Sequence, residues 1–179
     1  VTAPDTQIAI YIATAIQRRL ELDVSQCFVA LAPDIDPAWN GDFLVEVVPG
    51  DIQPYGGGEG AQDGGAWLLR EQTFILYCFY RAQLDQYSRS TMLLTEQDSG
   101  MLDRFESLRQ LFAQTMLPTV ANPTDSTQYA VMEAIVWKSE SRTEWEVPDL
   151  KIVRRSMTLT CRYGVALGSV PTLSASDYT

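Results

Sequence analysis

Lys151-Ile152-Val153-Arg154-Arg155-Ser156-Met157-Thr158-Leu159-Thr160-Cys161-Arg162-Tyr163-Gly164-Val165-Ala166-Leu167 is the stretch on which the fold turns. Val153, Met157, Leu159, Cys161, Tyr163 and Val165 fall on one side of an extended chain. Arg154, Ser156, Thr158, Thr160 and Arg162 fall on the other. A period of two predicts a half-buried strand over residues 150–167, with one face on a core and the other left to solvent or a partner.

Working back from this strand, residues 128–137 predict another. Between the two, residues 139–149 read as an exposed connector rich in Glu and Arg. Its acids, Glu140, Glu144, Glu146 and Asp149, are interrupted by Arg142 and Trp145 and lack the spacing of a calcium loop. A solvated connector, or a contact loop anchored by Trp145, fits better; tryptophan on a polar segment is a common interface anchor, although it also packs back on its own sheet. Residues 67–80 predict a long strand whose second half, Phe74-Ile75-Leu76-Tyr77-Cys78-Phe79-Tyr80, is apolar on both faces. It belongs in the sheet centre or under another subunit.

Two shorter strands are expected at 27–31 and 43–48, the second ended by Pro49-Gly50, with a turn built from Pro33, Asp34, Asp36 and Pro37 between them. Two segments have helical periodicity instead. Ile8, Ile12, Ala15, Ile16 and Leu20 make a stripe over 5–21, and Thr2 and Asp5 have capping-box spacing. Met101, Phe105, Leu108, Leu111 and Phe112 make a second stripe over 98–116, with Thr95 or Asp98 as cap and Pro118 as stop. The order predicts an α+β fold: a mixed or mainly antiparallel sheet of about five strands with two main helices packed on one face. Residues 1–168 are expected to form a single domain with a glycine-rich loop insertion at 54–66. That stretch carries Gly56, Gly57, Gly58, Gly60, Gly64 and Gly65 and is too costly to order to form core. Residues 169–179 read as a flexible C-terminal tail.

Composition narrows the function. The chain has 179 residues, 46% hydrophobic and 20% charged, which is the balance of a folded globular domain and not of a disordered one. No apolar run approaches the roughly 20 residues that cross a bilayer, and no signal-peptide pattern opens the sequence, so a chain made and used in a cytoplasm is expected. Thirteen basic against twenty-three acidic side chains give a net charge of −10, and only Lys138 and Lys151 are lysines. This balance opposes a grip on nucleic acid, which needs a positive footprint. It suits a surface that DNA passes without sticking. Cys27, Cys78 and Cys161 are odd in number and widely spaced, the pattern of reduced structural thiols.

Histidine is missing from the sequence, which removes the commonest general base near neutral pH and every Ser-His or Cys-His pair. Asp34 and Asp36 form an Asp-x-Asp, but between Pro33 and Pro37 they read as turn residues. Gly56-x-Gly58-x-x-Ala61 echoes a dinucleotide fingerprint, but more glycine and then a strand from Trp67 follow where a helix is needed, and a phosphate-cradling lysine is absent. No cofactor and no metal is implied. The chain is expected to work by assembly through its sheet edges and loops and not by catalysis.

The helix ending Gln17-Arg18-Arg19-Leu20, the strand Phe43-Leu44-Val45-Glu46-Val47-Val48-Pro49, the strand ending Phe79-Tyr80-Arg81, the helix with Leu108-Arg109-Gln110-Leu111-Phe112 and the strand Val153-Arg154-Arg155-Ser156-Met157-Thr158-Leu159 follow one another in a familiar order. In that order and spacing the chain resembles the tail terminator proteins of long-tailed bacteriophages and, more loosely, the neck proteins that join tail to head. The resemblance implies a homo-oligomeric ring, usually a hexamer, that caps the tail tube, stops its polymerisation and docks on the head-tail connector. DNA passes through such a ring without specific binding, the protein resides in the virion, and no catalytic residues carry over. The glycine-rich insertion departs from compact members of the family.

A ring needs one patch meeting a different patch on its neighbour. The acidic connector (Glu140, Glu144, Glu146, with Trp145) and a basic strand face (Arg154, Arg155, Arg162) are the candidate pair, with Gly57, Gly58 and Gly64 in a loop that orders on docking. Two alternatives stand beside this reading: another neck, tail-tube or tail-completion subunit, and a small carboxylate- or metal-dependent hydrolase.

Overall fold

The computed structural model describes residues 4–36, 38, 39, 41–55, 67–82, 100–113, 129–131 and 135–166. Its elements run α1 (Pro4–Leu20), β1 (Cys27–Val29), β2 (Phe43–Pro54), β3 (Trp67–Arg81), α2 (Met101–Ala113), β4 (Tyr129–Val131), β5 (Val136–Glu140), β6 (Glu144–Val147), a 3-10 turn (Pro148–Leu150) and β7 (Ile152–Ala166). The strands form one sheet in the order β1-β2-β3-β7-β4, with β5 and β6 also paired to β7. β1 runs parallel to β2, and every other pairing is antiparallel. The fold is α+β with a mixed sheet, as the order of helices and strands predicts.

β3 and β7 pair over their whole length, from Trp67 opposite Ala166 to Arg81 opposite Ile152. Fifteen residues at roughly 3.3 Å each make this ladder about 50 Å long. β3 therefore lies in the sheet interior between β2 and β7, the place its doubly apolar sequence calls for. β4, β5 and β6 are three pieces of a single path along the other edge of β7, so seven segments fill five positions across the sheet. The path turns back into β7 through the 3-10 turn, where Lys151 takes a left-handed φ of 56°.

β1 ends at Val29 and not at 31, and the strand expected over 128–137 is found as two, β4 and β5; two further boundaries differ from the sequence reading. The strand expected to stop at Pro49-Gly50 continues to Pro54. β1 covers only Val45 to Val47 of its outer edge, so Pro49 has no ladder bond to lose. A bulge between Pro49 and Ile52 absorbs the glycine. A Cβ on Gly50 would lie 2.5 Å from Thr73 Oγ1, which is why a residue without a side chain sits there. The second difference is the connector at 139–149, which is mostly strand: the end of β5 and all of β6. The predicted caps Thr2, Thr95 and Asp98, the stop at Pro118 and the tail at 169–179 lie outside the described residues.

The two faces of the sheet differ. Ile8, Ile12 and Ile16 of α1 and Met101, Phe105, Leu108 and Phe112 of α2 join one buried cluster with Phe43, Val45, Val47, Phe74, Leu76, Cys78, Tyr80, Met157, Leu159, Cys161 and Tyr163. These strand residues are alternate positions, all of one parity in register. The other parity holds a smaller cluster of Ile35, Leu44, Phe79 and Ile152, with Trp39, Tyr77, Val147 and Leu150 against it. No residue of either helix belongs to that second cluster.

α1 carries Asp5 in its first turn and Arg18 and Arg19 in its last, matching the helix dipole. It closes with Glu21 at a left-handed φ of 54°. All three cysteines are buried thiols, none in a disulfide, and burial pushes Cys27 up to about 12.

Candidate assembly interface

The charged residues singled out from the sequence mostly find partners inside the chain. Glu140, at the end of β5, takes a two-pronged contact from Arg109 of α2, with Nε to Oε1 at 2.7 Å and Nη2 to Oε2 at 2.8 Å. Arg155 Nη2 reaches the same Oε2 at 2.8 Å. The Glu140 side chain is only 8% exposed. Burial works to raise its carboxyl, yet hydrogen bonds and charge from Arg109 and Arg155 outweigh burial and hold it below the usual range. The Arg155 guanidinium also lies 4.7 Å from the Phe105 ring centroid. One carboxylate thus ties helix α2 to strands β5 and β7.

This overturns part of the expected charge pattern. Arg155 does not share a face with Arg154 and Arg162. It has the parity of Val153 and Met157 and lies on the helix-covered side, opposite Cys78. Glu140, likewise, is a buried anchor and not part of an exposed acidic loop. On the other face Arg154 Nη1 pairs with Glu146 Oε2 at 3.0 Å. Arg162 Nε pairs with Glu71 Oε2 at 2.6 Å, while its Nη1 donates to the Tyr55 hydroxyl at 3.1 Å. Glu144 pairs with Arg142 at 2.9 Å, both well exposed. Gly57, Gly58 and Gly64 lie outside the described residues.

Among the described residues, two tryptophans and Val136 are the large apolar groups exposed on the outermost path of the sheet. Trp145, opposite Val153, is 52% exposed, and Trp137, opposite Leu159, is 42% exposed. The tryptophans' partners lie six positions apart on β7, about 20 Å of strand, and Glu140 lies between them. Sequence reading missed Trp137 because it closed the expected strand, and residues 135–140 carry no alternation that would have placed it. Bulges interrupt this path at Trp137/Ser139 and Trp145/Val147, and bulge and prolines interrupt the outer edge of β2. Such edges resist addition of a further strand, so contact there falls to side chains and not to backbone.

The second face is covered at one end. Ile35 is 9% exposed over Leu44, Phe79 and Ile152, and Trp39 lies against them. Arg81 holds this segment down: its Nε donates to the Gly41 carbonyl at 3.3 Å, its Nη2 to the Trp39 carbonyl, and its Nη1 to the Leu150 carbonyl at 3.3 Å. Asp36 does the turn work read from the sequence, its Oδ1 accepting from the Ala38 amide at 2.8 Å. Toward the other end, Ile75, Ser156 and Thr158 are half-buried, Val136 is exposed, and Arg154 and Arg162 flank them at about one third exposed.

The helix side carries a shallow groove of about 530 Å³ lined by Tyr11, Thr14, Ala15, Arg18, Arg19 and Leu111. Among the described residues, no group of three or more Asp, Glu or Cys side chains converges as a metal site, and no helix is long and apolar enough to cross a membrane. No family model matches the chain, and no curated protein matches it.

Proposed function

We propose that the protein is a structural subunit of a closed ring: the tail terminator of a long-tailed bacteriophage, capping the tail tube and joining it to the head connector. The observation that carries this reading is the presence of two unlike exposed surfaces on one subunit. One is the outer strand path with Trp137 and Trp145; the other is the half-covered sheet face with Ile75, Val136 and Thr158. Two different patches are the minimum for a heterologous contact, and a heterologous contact closes into a ring when its rotation divides a full turn.

The five segments that carry the family resemblance support the reading. Each lies on an element of its own (α1, β2, β3, α2 and β7), and these five elements supply most of the main buried cluster. Charge is consistent with it as well. Subunits of net charge −10 would line a lumen that repels DNA and lets it slide. They would also repel one another, so apolar anchors must hold the ring, and added salt should strengthen it by screening.

Capping is the activity to test. When the protein is added to tubes growing from the tail tube subunits of the same phage, lengthening should stop, with one extra ring at a tube end in negative-stain images. Incorporation along the tube would favour a tube subunit instead. Continued growth with bare ends would count against the proposal.

A further inference from the structure

Glu46 is a lone acid inside the apolar run of β2, and its side chain is 1% exposed. It stands in register opposite Phe28 of β1 and Tyr77 of β3, so strands on both sides hold its backbone. Its Oε2 accepts a hydrogen bond from the Asp34 amide at 3.1 Å, which places it under the segment that crosses the second face. The charged and titratable groups around it are Asp34 from that segment, Glu146 from β6, Tyr77 from β3 and Arg154 from β7. Arg154 is engaged with Glu146, its guanidinium 5.7 Å from the Tyr77 ring centroid. Among the described residues no cation pairs with Glu46 itself. One backbone amide is thus set against burial and two neighbouring carboxylates.

We infer that Glu46 is a proton-operated latch for the strap formed by residues 34–36 and Trp39, closed when its carboxyl is protonated and loosened when it is ionised. An ionised carboxylate out of water, with no counter-charge, is costly to keep. Relief cannot come from moving β2, which is paired on both edges at this point. It comes from the strap, held on this face by Ile35, the Asp34 amide and the Arg81 fork. Lifting it admits water to Glu46 and uncovers Leu44 and Phe79, enlarging the apolar area of the second face. The latch stands on its own geometry, whether or not the chain forms a ring.

The direction of the pH effect follows from the environment. Burial, with Asp34 and Glu146 nearby, pushes the Glu46 carboxyl above its ordinary value of 4.5, although the Asp34 amide opposes this. An acid raised in the folded state contributes stability below its unfolded value and loses it as pH rises through the folded one. The strap is therefore tightest in acid and loosest toward neutral pH.

Hydrogen exchange of the full chain between pH 5 and 8, corrected for intrinsic rates, tests the latch. Protection of the Asp34 and Trp39 amides should fall steadily as pH rises across this range. Protection at Leu76 in β3 should hold. In Glu46→Gln the strap should stay protected across the range. Strap protection that does not change with pH in the wild type, or that falls equally in the variant, overturns the inference. If the variant does not fold, the wild-type comparison of strap against Leu76 decides.

Discussion

Glu140→Gln is expected to lower the unfolding free energy by about 3–5 kcal/mol, the range seen when one partner of a buried ion pair is removed. For a chain of this size that is roughly a 10 °C fall in Tm. The amide keeps the shape but removes the charge on which two guanidinium groups converge. Arg155, only 17% exposed, would be left beside Phe105 and Cys78 with its charge uncompensated. Its Nε already has no partner among buried polar atoms, so the strand has no second acceptor to turn to. The effect should be read by thermal or denaturant unfolding at neutral pH.

Acid should mimic the substitution, because a carboxyl held low contributes stability above its unfolded range and loses it as pH falls through the folded value. Glu140→Gln should lack that component of acid sensitivity. A loss under 1 kcal/mol would mean that Glu140 does not weld α2 to the sheet. The opposite pH directions of Glu140 and Glu46 make the two carboxylates separable in one titration.

The second large effect concerns assembly. If the proposed ring forms, replacing Trp137 and Trp145 together with alanine should leave monomers in its place, with little change in the stability of the subunit. Each side chain is about half exposed in the isolated chain, so truncation removes little core. A buried aromatic anchor at an interface is worth about 2 kcal/mol or more. Two together weaken each contact by about 4 kcal/mol, a factor on the order of 10³ in Kd. Sedimentation at micromolar concentration reads this directly. Rings that persist in the double variant would move the contact away from the outer strand path.

Much of the fold was legible because its signals are long. Residues 157–165 alternate without a break, 74–80 are apolar on both faces, and α1 has an unbroken stripe, so sheet, central strand and helix followed from periodicity. The candidate interface was less legible, and for identifiable reasons. Arg154 and Arg155 are adjacent charges that look like one patch, yet a period of two sends them to opposite faces. Parity, and not adjacency of charge, decides the face of each.

Glu140 looked exposed because its partner Arg109 is 31 residues away on another element, a pairing no local pattern reports. The strand at 144–147 is four residues of mixed charge and apolarity, too short for periodicity to separate from loop. Pro49-Gly50 looked like a strand end because a proline stop is the usual meaning. It is tolerated here because β1 is only three residues long. Glu46 was visible as the single acid in an apolar run; what could not be seen was the strap above it.

Size-exclusion light scattering of the purified wild-type chain at physiological salt, with negative-stain images of the eluted peak, tests the ring most directly. The expected result is a single species of closed rings whose mass is a whole multiple of 20.0 kDa. A monomer at micromolar concentration, or open filaments in place of rings, would contradict it.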